Sequence, residues 1–236
     1  MPPILEATGV EKTYRTGTVE VPALRGIDLS ISHGEFVAVM GPSGSGKTTL
    51  LNSLSGLDDI DAGTVLIDGA DIHAMSDGDR TEHRASRMGF IFQSFNLIPV
   101  LNAVENVELP LLLTGHRARA AREQAGAMLD RMGLGHRLSH RPAELSGGEQ
   151  QRVAVARALV AHPAIVWGDE PTGNLDTEMA GAVLDLLHEV NATGQTIVIV
   201  THDPAIGADT QRVVRVRDGR ITADGKPSEV MEQTPR

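Results

Sequence analysis

Three apolar runs, Phe36–Met40, 164–167 and 197–200, are continuous rather than alternating, which predicts strands buried on both faces at the centre of a mostly parallel sheet. The opening segment keeps a different rhythm. Ile27, Leu29 and Ile31 alternate with Asp28, Ser30 and Ser32 as on a half-exposed antiparallel strand, and Val65 and Ile67 ahead of Asp68 and Gly69 predict another. A small antiparallel layer over 1–35 and 62–72 is therefore expected beside a core drawn from 36–61, 73–93 and 163–236. Between 118 and 132, Ala121, Ala125, Met128, Leu129 and Met132 fall at helical spacing with Arg122, Glu123 and Asp130 on other faces, so 94–162 reads as an inserted helical lobe. Asp218 and Gly219 separate two short alternating runs within 213–221 and predict a closing hairpin, after which the polar tail from Lys226 is expected to fray. The fold class is α/β: a mostly parallel core sheet, a flanking antiparallel β layer and an inserted helical lobe.

At 236 residues the chain has room for one such domain, 1–236, and not for two. A formal net charge of −10 with 3% aromatic residues argues against an extended basic groove with stacking platforms, so nucleic acid is not an expected partner. No window approaches the roughly eighteen consecutive apolar residues of a membrane span. The first six residues lack the charged start and apolar core of a signal peptide, and the chain is expected to be soluble and unexported. With no cysteine there are no disulfides, thiolate nucleophiles or cysteine-ligated zinc, a composition compatible with the cytosol. His136 and His140, four apart, have no further ligands at zinc spacing. Arg117, Arg119 and Arg122 read as the solvated face of a helix.

Each continuous run is followed at once by chemistry. After the first, Gly41, Pro42, Ser43, Gly44, Ser45, Gly46, Lys47 and Thr48 keep G-x-x-x-x-G-K-[ST] spacing. Small residues let the backbone curl around phosphates with N–H groups inward, Lys47 reaches the β and γ phosphates, and the Thr48 hydroxyl holds Mg²⁺. A helix expected from about Thr49 directs its positive end at the anion. Alone, this loop fits kinases, GTPases and motor ATPases equally. Asp169 and Glu170 close the second run, where a carboxylate needs a cation or a water pathway. Asp169 would serve Mg²⁺ through the second shell and Glu170 would orient or deprotonate an attacking water. His202 ends the third run and is placed for the γ-phosphate. Open α/β sheets bind ligands at the carboxyl ends of their strands, so one site is expected to collect all three groups.

Ser146, Gly147, Gly148 and Glu149 have the spacing of a capping box before a helix. The same residues expose backbone N–H groups and a hydroxyl, which is an anion site in its own right. Both readings hold together. A single nucleotide hardly needs two such loops, so the second is expected to serve the nucleotide of another copy.

Phosphate loop, signature run, acidic strand end and histidine, in this order over nearly the whole chain, resemble the P-loop NTPase cassette of the ABC family. The resemblance implies an ATPase that uses ATP and Mg²⁺. It further implies that Gln93, in Phe90-Ile91-Phe92-Gln93, contacts Mg²⁺ and water and relays movement to a membrane partner. Tyr14 matches the aromatic that stacks on adenine, and Gly173-Asn174-Leu175-Asp176 the loop that crosses a dimer interface, with Asp176 nearest the second copy. The acidic strand, Ile165-Val166-Trp167-Gly168, departs from the family pattern in carrying Trp167 where aliphatic or small residues are usual, with Gly168 beside it to relieve its bulk. Runs around Tyr14, Phe92–Pro99 and Pro171–Asp176 look like the MacB/LolD branch, close also to FtsE. That branch implies a cytoplasmic subunit, peripheral on the inner face of the membrane, driving an integral permease on a separate chain in export, lipoprotein release or force transmission. Importer ATPases, and soluble ATPases acting on ribosomes or DNA, are the alternatives. Phe95, Leu97, Ile98, Pro99 and Leu101 either dock the membrane partner or fill the helical lobe.

Overall fold

The computed structural model, which describes residues 2–232, runs in chain order through β1 (Leu5–Thr16), β2 (Val19–Ile31), β3 (Phe36–Met40), α1 (Lys47–Leu54), β4 (Ala62–Ile67), β5 (Ala70–Asp71) and α2 (Asp77–Arg87). It continues with β6 (Met88–Phe92), α3 (Ala103–Leu113), α4 (Ala118–Arg131), α5 (Gly147–Leu159), β7 (Ile165–Asp169) and α6 (Thr177–Ala192). The last elements are β8 (Thr196–Thr201), α7 (Pro204–Ala208), β9 (Arg212–Arg217), β10 (Arg220–Gly225) and α8 (Pro227–Met231). They divide between two compact units, one running up to Arg80 and resuming at Asn191, the other spanning Thr81–Val190.

In the first unit β3 lies in parallel between β8 and β9, with Met40 opposite Thr201 on one side and Arg215 on the other. Every residue of β3 and β8 is buried, which is why neither run has a polar face. β9 and β10 form the expected antiparallel hairpin. Its turn residues Asp218 (φ 49°) and Gly219 (φ 74°) take the two left-handed positions of a type I′ turn. The antiparallel layer is a separate four-stranded sheet in the order β2-β1-β4-β5. Leu5 pairs with both Ile31 and Ile67, so three buried side chains cross the sheet on one face. The tail from Lys226 does not fray over its first part. Residues 227–231 form α8 with Val230 only 2% exposed, while 233–236 lie outside the described residues.

In the second unit β6 and β7 pair in parallel, Phe92 opposite Asp169. The helices α3, α4 and α5 supply the expected lobe, and α4 buries Ala121, Ala125, Met128 and Leu129 as their spacing predicts. Arg122 is more than a solvated charge: its Nε and Nη2 donate to Glu108 of α3 at 2.5 and 2.7 Å, a bidentate tie between helices. Trp167 is fully buried, and its indole N–H has no hydrogen-bond partner, so it acts as bulk in the strand core. Helix α5 lies so close on β6 that a Cβ at Gly89 would collide with the Ala158 carbonyl. Gly89→Ala is expected to cost about 2 kcal/mol, seen as a lower urea midpoint; an unchanged midpoint would contradict this packing. Among the described residues no helix is long and apolar enough to cross a membrane.

Candidate functional site

In the first unit the chain leaves β3 at Met40, turns through 41–46 and enters α1 at Lys47, two residues earlier than expected. Backbone closes on the loop from outside. A Cβ on Gly46 (φ 100°) would stand 2.6 Å from the Ala23 carbonyl oxygen, and one on Gly41 would strike the Val216 carbonyl. Pro42, Ser43 and Gly44 are exposed, whereas Ser45 and Lys47 are buried. Lys47 Nζ donates to the Gly41 and Pro42 carbonyls, each at 2.9 Å, which holds the ammonium at the loop instead of out in water. The Ser45 hydroxyl is buried without a partner. Helix α1 has no side-chain cap, so its first turn, with Thr48 and Thr49, offers N–H groups to an anion. A glycine-walled turn, an ammonium and an uncapped helix start form the donor set that a polyphosphate takes.

Because Met40 and Thr201 are register partners, Gly41 and His202 leave neighbouring parallel strands at one edge. His202 is exposed there, and the Thr201 hydroxyl accepts the Asp203 N–H at 3.0 Å. Tyr14, near the end of β1, is 41% exposed and so is not a packed strand aromatic.

The second unit holds the acidic pair, the glutamine and the signature run. Asp169 ends β7, and Glu170 follows with φ 47°, a left-handed backbone uncommon outside glycine and asparagine. Gly173 N–H closes the turn on the Glu170 carbonyl at 3.0 Å, and the Gln151 amide donates to the Pro171 carbonyl. Gly173 lies between two polar side chains: a Cβ there would stand 3.2 Å from Glu170 Oε2 and 2.8 Å from Gln93 Nε2. The structure thus brings Gln93 and Glu170 together. Gln93, exposed just past β6, donates to Asn174 Oδ1 at 3.3 Å, and Asn174 Nδ2 donates back to the Gln93 carbonyl at 3.0 Å. Asn174 is a holder of the glutamine that sequence reasoning missed, its only signal being its place between Gly173 and Asp176.

The capping box at the start of α5 is formed. Ser146 Oγ accepts the Glu149 N–H at 3.3 Å and Glu149 accepts the Ser146 N–H at 2.8 Å. That backbone N–H foremost, with the Ser146 hydroxyl and Arg137 at 2.9 Å, holds the Glu149 carboxyl below its ordinary range. Glu149 is therefore committed to the cap, while Ser146 and Gly147 remain exposed. Gly148 is buried against Met179, and Gly147 borders Leu175 and Phe95. Asp176 Oδ1 accepts the Met179 N–H at 2.9 Å at the start of α6. Signature start, the 173–176 loop and the segment after Gln93 thus meet within this unit.

The family described as ABC transporter matches residues 24–173. The chain is 48% identical, over 92% of its length, to the macrolide export ATP-binding/permease protein MacB of Syntrophobacter fumaroxidans, and it spans 31% of that relative. It is 46% identical to the lipoprotein-releasing system ATP-binding protein LolD of Xanthomonas campestris pv. campestris, over 92% of each chain. Among solved structures, the dimeric post-hydrolysis state of the ATP-binding cassette MJ0796 bound to ADP and Pi is similar with a TM-score of 0.87 at 40% identity, covering 94% of this chain and 98% of that one.

Proposed function

Because the chain belongs to the ABC transporter family, we propose that it is the ATP-binding and ATP-hydrolysing subunit that powers an integral membrane partner on a separate chain, with two copies closing around two ATP molecules. The observation that carries this reading is the presence in one chain of two unlike helix starts suited to anions. One, at α1, is uncapped behind a glycine loop; the other, at α5, is capped and has Ser146 and Gly147 exposed. The first takes the phosphates of its own nucleotide, with Pro42 to Thr49 as the cradle and Lys47 neutralising charge. The second reaches the nucleotide of the other copy through Ser146 and the exposed start of α5, with Asp176 at the same interface. The dimeric assembly of MJ0796 supports that arrangement.

Within each site Glu170 accepts the proton of the attacking water, Gln93 positions that water, and His202 contacts the γ-phosphate. Tyr14 stacks on adenine. Thr48, Gln93 and Asp169 are the oxygen donors that would hold Mg²⁺, which would neutralise charge on the phosphoryl oxygens.

The membrane partner is supported by the second unit's surface. An apolar groove of about 320 Å³ is lined by Ala85, Phe90, Phe92, Leu109, Pro110 and Leu113. Leu113 is 70% exposed and Val100, in the loop after Gln93, 72%. Buried Asn106 bonds the carbonyls of Ile98, Leu101 and Asn102 and accepts the Ile98 N–H, so the loop is pinned with Ile98, Pro99 and Val100 exposed and with Phe95, Leu97 and Leu101 half-buried. The run thus divides: Phe95, Leu97 and Leu101 pack toward the lobe, while Ile98, Pro99 and Val100 with the groove offer a dock whose occupant is a short helix of the permease. The names of the MacB and LolD relatives point to export or lipoprotein release. Tagged Glu170→Gln protein, captured with MgATP from gently solubilised native membranes, is expected to bring a few-span protein with a large outer domain. A many-span permease with a solute-binding protein would replace export by import, and ribosomes or DNA alone would overturn the membrane assignment.

A further inference from the structure

We infer that Lys12 and Asp58 are positioning residues for the adenine platform: they fix the Tyr14 ring relative to the phosphate loop, so the base meets an aromatic that is already ordered. The inference rests on the proposed role of Tyr14 and deepens it. Without such support Tyr14 would make a poor platform. It stands near the tip of the β1–β2 hairpin, where residues 15–22 are all exposed. A free aromatic there would lose rotamer entropy each time nucleotide bound, and affinity with it.

Two side chains remove that freedom. The Tyr14 hydroxyl donates to Asp58 Oδ2 at 2.8 Å. The other oxygen of Asp58 accepts Lys12 Nζ at 2.9 Å, and Lys12 also donates to the Asp59 carbonyl at 2.6 Å. Lys12 and Tyr14 are two apart on β1, so their side chains leave the same face of the strand, and the ammonium lies over the ring, 5.3 Å from its centroid. One face of the ring is thus taken by the cation and the opposite face is left for a base.

The anchor is tied to the phosphate loop. Asp58 follows α1, where the N–H groups of Leu57 and Asp58 both return to the Asn52 carbonyl. The ring is therefore referenced, through Asp58, to the C-terminal end of the helix that begins at Lys47. The Lys12 and Asp58 side chains are only 12% and 32% exposed, which protects the pair from the screening that weakens surface ion pairs. Burial pushes the Asp58 carboxyl up, but the bonds from Lys12 and Tyr14 outweigh it and hold it below its ordinary range, so at neutral pH it is an anionic acceptor.

The test compares two ligands of the full chain by calorimetry: MgATP, and magnesium tripolyphosphate, which has phosphates and no base. Asp58→Ala is expected to weaken MgATP about fivefold and to leave tripolyphosphate unchanged, with Asp58→Asn restoring most of the loss. Tyr14→Phe, which keeps the ring and loses the hydroxyl, should show a similar loss, and the double variant should be no weaker than either single one. Tyr14 is the only tyrosine, so the ring resonances of tyrosine-labelled protein report its order directly and should broaden or shift in Asp58→Ala before nucleotide is added. Equal losses for both ligands, or wild-type MgATP affinity in Asp58→Ala, would overturn the positioning role. Wild-type MgATP affinity in Tyr14→Ala would instead overturn the adenine reading on which it rests.

Discussion

Glu170→Gln is expected to bind MgATP within about threefold of the wild-type affinity while turning it over at least about 10² times more slowly, the range contributed by a general base. The amide has the size of the carboxylate, so it fits the same left-handed turn beside Gly173 and Gln93. It accepts no proton, and the attacking water loses its base. Binding persists because the phosphate loop lies on other elements, between β3 and α1. Single-turnover phosphate release alongside equilibrium nucleotide binding separates the two effects. Turnover at the wild-type rate would remove Glu170 from the role of base and transfer it to another group.

Ser146→Arg is expected to lower hydrolysis by at least about 10²-fold, comparable with loss of a transition-state donor, while the separated monomer still binds MgATP. The change removes the hydroxyl that accepts the Glu149 N–H, a loss of about 1 kcal/mol of helix capping. It also places a long cation at an exposed helix start where the macrodipole disfavours positive charge. Neither effect touches Lys47 or the loop that it bonds. Ser146→Thr keeps the cap and should retain most activity, which distinguishes the anion site from a folding defect. Loss of monomer binding in Ser146→Arg would show that the signature run serves its own nucleotide and not that of a second copy.

What could be read from the chain was what leaves a period or a fixed local spacing. β3 and β8 announced themselves by continuous burial, α4 by its apolar stripe, and the hairpin turn by Asp218 and Gly219. The glycine loop is legible because backbone approach at Gly41 and Gly46 admits no other residue. The rest depends on contacts between distant residues. Asn174 holds Gln93 through two reciprocal bonds, yet an asparagine in a polar loop carries no mark of its partner. Arg157, in the last turn of α5, donates to the carbonyls of Phe95 and Asn96 at 2.8 and 2.5 Å. Those two residues sit at φ 60° and 48°, a conformation that their identities do not announce. Helix α8 was hidden by its polarity, since one buried valine, Val230, anchors it.

Two copies that share their nucleotide sites should associate only when the signature run is intact, and molar mass by light scattering tests this most directly. Glu170→Gln with MgATP is compared with the same variant also carrying Ser146→Arg. A dimer is expected for the first and a monomer for the second, even when both are saturated with nucleotide, and monomers of both in MgADP. A stable MgATP dimer of the double variant, or a monomer of Glu170→Gln, would contradict shared sites.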